Sequence, residues 1–203
     1  MTLESRFHEI ALSPSSEGLF MMLQRVALML TLVCVSSVVG SAEEQPTLDT
    51  EKSKISFVGA KPDGKHDGGF KKFTADVKLN VEDPSKGSLK IEIDATSLWS
   101  DDDKLTNHLK NPDFFDVRKH PKITFESTKI AHDPKKDTVN IVGNLTMLGK
   151  TVEVTIPSMP KLTEEMLVLA ANFDIDRTKW GMTYGKGKIN DKVAIQTLLV
   201  FKR

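Results

Sequence analysis

From about residue 54 to the C-terminus, apolar and polar residues alternate in short runs. Ile55-Ser56-Phe57-Val58 begins the pattern, and Leu89-Lys90-Ile91-Glu92-Ile93-Asp94-Ala95 shows it cleanly. Val152-Glu153-Val154-Thr155-Ile156 and Val193-Ala194-Ile195-Gln196-Thr197-Leu198-Leu199-Val200-Phe201 repeat it. Successive side chains of a strand point to opposite faces, so a period of two gives each strand one apolar and one wet face. The runs predict eight strands, at 54–58, 69–80, 88–97, 122–130, 138–147, 151–157, 166–176 and 191–202. Turn signals separate them at Lys61-Pro62-Asp63-Gly64, Asp83-Pro84-Ser85-Lys86-Gly87, Asp133-Pro134-Lys135-Lys136-Asp137 and Leu148-Gly149-Lys150. Ile156-Pro157-Ser158-Met159-Pro160 is expected to leave the ladder, because proline has no N–H to donate. Trp180-Gly181-Met182-Thr183-Tyr184-Gly185-Lys186-Gly187 reads as a glycine-rich loop before the last strand.

One stretch breaks the alternation. Ser100 and Asp101-Asp102-Asp103 suit a helix start, where they cap free N–H groups. Leu105, His108 and Leu109 then share one helical face, and Pro112 prevents continuation. Many antiparallel strands with one helical interruption must close on themselves or stack as a sandwich. The helix is expected across one mouth of a barrel, with Phe114 and Phe115 completing a plug. A closed barrel with an apolar inner face is a container, which points to binding rather than catalysis.

The N-terminal residues read differently. Met21 to Arg25 form a short basic start, residues 26–39 an apolar core, and Gly40-Ser41-Ala42 a small-residue end. That order is expected to be a secretory signal peptide cut after Ala42, which places the mature protein in the periplasm or outside the cell. The core is shorter than the roughly 18–20 residues of a spanning helix. Residues 1–20 hold Glu4, Glu9 and Glu17, unlike a targeting region, and are read as a gene-model extension ahead of Met21 or Met22. The single cysteine, Cys34, lies inside the signal, so disulfides cannot staple the exported domain. A lipoprotein anchor on Cys34 is the weaker alternative, because Leu32-Val33 is a poor lead-in. The whole chain has 28 basic and 28 acidic residues, and cleavage leaves the balance nearly intact. This is not the basic footprint of a nucleic-acid binder. The remainder, 43–203, fits a single domain.

Three blocks are recognisable: Gly64-Lys65-His66-Asp67-Gly68-Gly69-Phe70-Lys71-Lys72-Phe73, His108-Leu109-Lys110-Asn111-Pro112-Asp113-Phe114-Phe115-Asp116, and His120-Pro121-Lys122-Ile123-Thr124-Phe125-Glu126-Ser127. Gly143-Asn144-Leu145-Thr146 and Asp176-Arg177 followed by Trp180-Gly181 agree with them. Across 48–203 the chain resembles the YceI family. The resemblance implies an all-β fold: an extended eight-stranded antiparallel lipocalin-like barrel with one short helix capping an end. It also implies a polyisoprenoid-like ligand and an exported location. Polar Lys61 to Lys65 stands where the resemblance implies bulkier residues, and aromatic content is low, which implies a shorter or narrower tunnel.

An eight-stranded barrel either fills with its own side chains or holds one small ligand. Phe57, Phe73, Phe125, Phe173 and Phe201 are the large inward candidates for either role. At the rim, His66, His108, Arg177, Lys179 and Lys186 are candidates for an anionic or quinone oxygen, with the arginine fork the best match to pyrophosphate. The structural alternative for Arg177 is a salt bridge to Asp174, Asp176 or Asp113. For His66 and His108 it is hydrogen bonding to the closing loops, and for Phe114 and Phe115 it is holding the helix on the barrel. His66, His108, His120 and His132 lack the short spacing of a zinc site. No Gly-x-Ser-x-Gly elbow occurs, Gly185-Lys186-Gly187 is too short for a dinucleotide fingerprint, and Asn144-Leu145-Thr146 falls in a strand.

The expected function is a non-enzymatic, exported lipid-binding protein without a cofactor. It encloses a polyisoprenoid, quinone-like or fatty amphiphile for transport or storage. Its partners are that apolar small molecule and, transiently, a membrane at which the ligand exchanges; the chain is a monomer or homodimer. Two alternatives stand beside it. One is a filled barrel that binds another protein. The other is a small enzyme using His66 or His108 with a carboxylate as acid–base pair.

Overall fold

Each alternating run forms a strand because its apolar set can be buried only if neighbouring strands turn the same face inward. The structure, a computed structural model, describes residues 45–203 apart from Val81 and Asp137. The segments read as signal peptide and extension lie outside these residues. The strands are β1 (Thr47–Leu48), β2 (Lys54–Lys61), β3 (Gly64–Phe70), β4 (Phe73–Lys78), β5 (Ser88–Asp94), β6 (Leu98–Ser100), β7 (Lys122–Asp133), β8 (Thr138–Met147), β9 (Lys150–Leu162), β10 (Met166–Asp176) and β11 (Lys192–Lys202). Helix α1 spans Asp103–Leu109.

Eleven segments occupy eight positions in a ring. β3 and β4 are one strand bent at residues 71–72, and β5 and β6 are one strand bent by a 3-10 turn, Ala95–Ser97. The two bends face each other: Lys71 N donates to Ser97 O at 3.3 Å and Asp94 N to Lys72 O at 3.0 Å. β4 pairs with β5, β3 with β6 and β2, and β5 with β7. Antiparallel ladders then run through β8, β9, β10 and β11. β11 meets β2 again, with Ile195 opposite Phe57, and the up-and-down barrel closes. β1 adds a two-residue ladder to the end of β11.

Two departures from the sequence reading have physical causes. Residues 64–68 form part of β3 although they show no apolar alternation. The reason is Gly68: a Cβ there would lie 2.5 Å from the Phe57 ring on the paired strand. The phenylalanine covers the position where a side chain would otherwise stand. The second departure is the proline segment, which stays in the ladder and carries β9 to Leu162. Pro157 has a partner only in β8, opposite Asn140, and Pro160 only in β10, opposite Leu169. Each missing N–H falls on a side where β9 has no ladder partner at that row, as at a sheet edge, where proline is allowed.

The inward residues do two different things along the barrel. At the end near β1, buried Leu89, Ile141, Leu167, Ala171, Leu199 and Phe201 fill the interior. At the other end lie α1, the loop after it and the loop before β11. Trp180 is 1% exposed there, and its Nε1 donates to Leu145 O at 3.0 Å. No helix among the described residues is long and apolar enough to cross a membrane.

Candidate ligand-binding cavity

A cavity of about 340 Å³ occupies the α1 end of the barrel. Its wall follows directly from the period-two rule. Each of seven strands contributes two residues at i and i+2: Ile55 and Phe57, Ile91 and Ile93, Ile123 and Phe125, Leu145 and Met147, Val154 and Ile156, Phe173 and Ile175, Val193 and Ile195. β3 contributes His66 and Phe70, with Gly68 between them. Two phenylalanines lie over glycines of neighbouring strands, Phe57 over Gly68 and Phe125 over Gly143. A Cβ on Gly143 would stand 2.5 Å from the Phe125 ring and 2.4 Å from Glu126 O. The volume is within the range of small-molecule sites, roughly 300–1,000 Å³.

The mouth is covered by side chains that the local sequence positions. Asp102 caps α1, its carboxylate accepting from Leu105 N at 2.7 Å. Ser100 N donates to Thr106 Oγ1 at 2.8 Å, which fixes the turn into the helix. Leu105 and Leu109 face the cavity. The following loop is tied back by Phe115 N to Leu109 O at 3.0 Å and Val117 N to Lys110 O at 3.1 Å. These bonds bring Phe114 and Phe115 to the cavity. Phe115 joins Phe57 and Phe70 in an aromatic cluster, with centroids 5.7–6.3 Å apart.

Met182 and Ile189 close the opposite side, and Arg177 holds their loop. The residue is 3% exposed. Nε donates to Asn190 O, Nη1 to Met182 O and Tyr184 O, and Nη2 to Ile189 O and Asp191 Oδ1. An arginine has five N–H donors, so every one of them has a protein acceptor here. Its ion-pair partner is Asp191, rather than Asp174, Asp176 or Asp113. Arg177 therefore shapes the cavity as a loop anchor and keeps no donor for a head group.

The remaining polar side chains on the lining are Lys61, His66, Ser100 and Thr197. His66 Nδ1 lies 2.9 Å from Asp101 Oδ1, and Asp67 N donates to the other oxygen at 3.1 Å. The His66 hydrogen bond, then the Asp67 amide, hold the Asp101 carboxyl below its ordinary pKa. This pair ties the segment before α1 to β3. Lys61 Nζ is 3.5 Å from Asp63. Among the described residues, no three His, Cys, Asp or Glu side chains gather as a metal site would require.

Of the residues singled out from sequence, Phe57, Phe125, Phe173, His66, Phe114, Phe115 and Arg177 border the cavity. Phe73 is off the lining; it is half-buried on the same side of β4 as Ala75 and Val77 and packs against the core. Phe201 is wholly buried in the filled end. His108 is off the lining; its Nε2 is 2.8 Å from Asp113, and its ring meets Phe114 and Tyr184 edge-on. Lys179 and Lys186 are also off the lining. Sequence reasoning missed Phe70, Met182 and Ile189. The i, i+2, i+4 spacing of His66, Gly68 and Phe70 carries the first; the loop pair carries no periodic signal.

The comparisons with known proteins agree with this geometry. A family model described as the YceI-like domain matches residues 47–201. Curated relatives include UPF0312 proteins of Pseudomonas putida (strain GB-1), 33% identical over 88 residues, and Pseudomonas aeruginosa (strain LESB58), 35% identical over 89 residues. The matches cover 43% and 44% of this chain and 45% and 46% of the relatives, so the chain spans less than half their length. The crystal structure of Burkholderia cenocepacia BcnA aligns with a TM-score of 0.70 at 29% identity, covering 75% of this chain and 98% of that one. A polyisoprenoid binding domain from Saccharophagus degradans aligns at 0.59 with 13% identity, covering 79% and 98%. The Campylobacter jejuni YceI protein aligns at 0.58 with 19% identity, covering 67% and 84%. The last two show likeness of fold alone. The family match runs from β1 into β11, and the fold is the lipocalin-like barrel of the YceI structures, so this chain belongs to the YceI family.

Proposed function

We propose that the protein is an exported carrier that encloses an elongated apolar molecule, isoprenoid-like or fatty, for transport or storage. The observation that carries this reading is the cavity, whose walls are paired inward residues of seven strands and almost wholly apolar. Transfer of a ligand CH₂ into such a space is worth about 0.8 kcal/mol, so one five-carbon unit contributes roughly 4 kcal/mol gross. A few units offset the cost of immobilising the ligand. A polar end is held at the rim, where Lys61 and His66 offer donors. Binding proceeds by desolvation, with no bond made or broken. The family's binding-protein fold supports this over catalysis, and the polyisoprenoid binding domain named above supports the ligand class. Export rests on the pattern of residues 21–42, and N-terminal sequencing of protein recovered outside the cytoplasm tests it.

Native mass spectrometry of gently purified protein, followed by organic extraction, tests the carrier reading. A stoichiometric hydrophobic molecule is expected. Phe125→Ala should shift preference toward bulkier ligands while the barrel still folds. Protein that carries nothing and refuses added prenyl alcohols and fatty acids would remove the reading.

A further inference from the structure

The ladder between β9 and β10 covers the filled end of these strands and stops short of the cavity end. β9 and β10 pair only from Ser158 opposite Ala171 to Leu162 opposite Leu167. Beyond Ser158, residues 150–157 still pair with β8, and residues 172–176 still pair with β11. The two strands have no register with each other there. Two fully bonded hairpins therefore flank a seam without ladder bonds, joined just past β10 by Trp180 Nε1 donating to Leu145 O at 3.0 Å.

The chain itself ends the pairing at this row. Pro157 lies in an unbroken ladder with β8, so its missing N–H falls on the β10 side. It is the first residue beyond the last β9–β10 pair, and it denies β10 the next hydrogen bond. The seam also leads somewhere. Val154 and Ile156 border it from β9, Phe173 and Ile175 from β10, and all four line the cavity.

The mouth offers a harder route. Passage there separates Phe57, Phe70 and Phe115 and breaks the bonds of Asp101 to His66 and Asp67. On the other side it displaces a loop held by five donors of Arg177. Widening the seam breaks no ladder bond, because residues 150–157 and 172–176 share none; at its open end it gives up one side-chain bond, Trp180 Nε1 to Leu145 O.

We propose that the β9–β10 seam is the port through which an elongated, single-chain amphiphile enters and leaves the cavity. This rests on the carrier reading. The two hairpins spread about the Ser158 row, the tail slides past Phe173 and Ile175, and the plug at the mouth stays in place.

The test uses the full chain with Cys34→Ser, Thr155→Cys and Asp174→Cys; both new positions are exposed and flank the seam. A short bismaleimide bridges them after folding, and the same variant capped with a monofunctional maleimide is the control. A pyrene-labelled dodecanol is the probe. Bridging should slow association and dissociation alike by at least about tenfold and leave Kd within about twofold, since a port changes rates and not the bound state. Capping alone should change neither. Unchanged rates in the bridged protein, with the probe still bound, would overturn the port and leave the carrier reading standing. Failure of every form to bind the probe would overturn the carrier reading, and the port with it.

Discussion

Two glycines and one arginine decide most of the cavity's shape. Gly68 and Gly143 give up their side-chain space to Phe57 and Phe125, and those rings then form cavity wall. Gly143→Ala crowds both the Phe125 ring and Glu126 O. The expected result is a loss of about 1–3 kcal/mol, the usual range for overpacking, read from the urea midpoint. Surviving folded protein should bind an apolar probe more weakly, because the displaced ring moves into the cavity. Arg177→Lys keeps the charge but cannot reach acceptors arrayed for a planar fork. It should cost more than about 2 kcal/mol through unsatisfied buried carbonyls, and faster hydrogen exchange should be confined at first to the loop holding Met182 and Ile189. At this scale the sequence was only partly legible. The inward phenylalanines stood out by alternation, but a glycine that makes room for a neighbour's ring has no pattern of its own.

Short helical elements begin where an acidic side chain caps them. Asp83, Asp94 and Asp176 each accept from the amide two residues on and begin a 3-10 turn; all three are Asp-x-Ser or Asp-x-Thr. Asp102 does the same work for α1, and Asp102→Ala should cost about 1 kcal/mol without changing the denaturant m-value. The ladders predict where the backbone opens. β10 and β11 pair over their full lengths, so their shared amides should exchange slowest with solvent deuterium. Amides of residues 150–157 that face the seam should exchange much faster than those bonded to β8. Equal protection on both sides of β9 would count against the seam. Helix and most strands were legible from capping and period. The proline segment was not, because whether a proline breaks a ladder depends on which neighbours flank it.

The molecule as a whole has a defined response to acid. Asp49 is held below the ordinary carboxylate pKa by its hydrogen bond from Lys202, and Asp101 by that from His66. Asp83, Asp94 and Asp176 are held low by the hydroxyls of Ser85, Thr96 and Thr178. A carboxylate with a depressed folded pKa binds its proton more readily when unfolded. Its stabilisation is complete above the unfolded value, about 3.9 for aspartate, and is lost as pH falls through the lower folded value. The melting temperature should hold from neutral pH to about pH 5 and then fall. Asp94→Asn and Asp176→Asn should each flatten that descent, and an unchanged slope in both would show that these bonds do not govern acid unfolding. Most strand positions, helix α1 and the family were fixed by local pattern, since alternation, caps and motif spacing act within a few residues. The three-dimensional arrangement alone decided that Phe57 and Phe125 wall a cavity while Phe201 fills a core, and that β9 parts from β10. Interior volume and ladder closure depend on all eight ring positions at once, and no single segment encodes them.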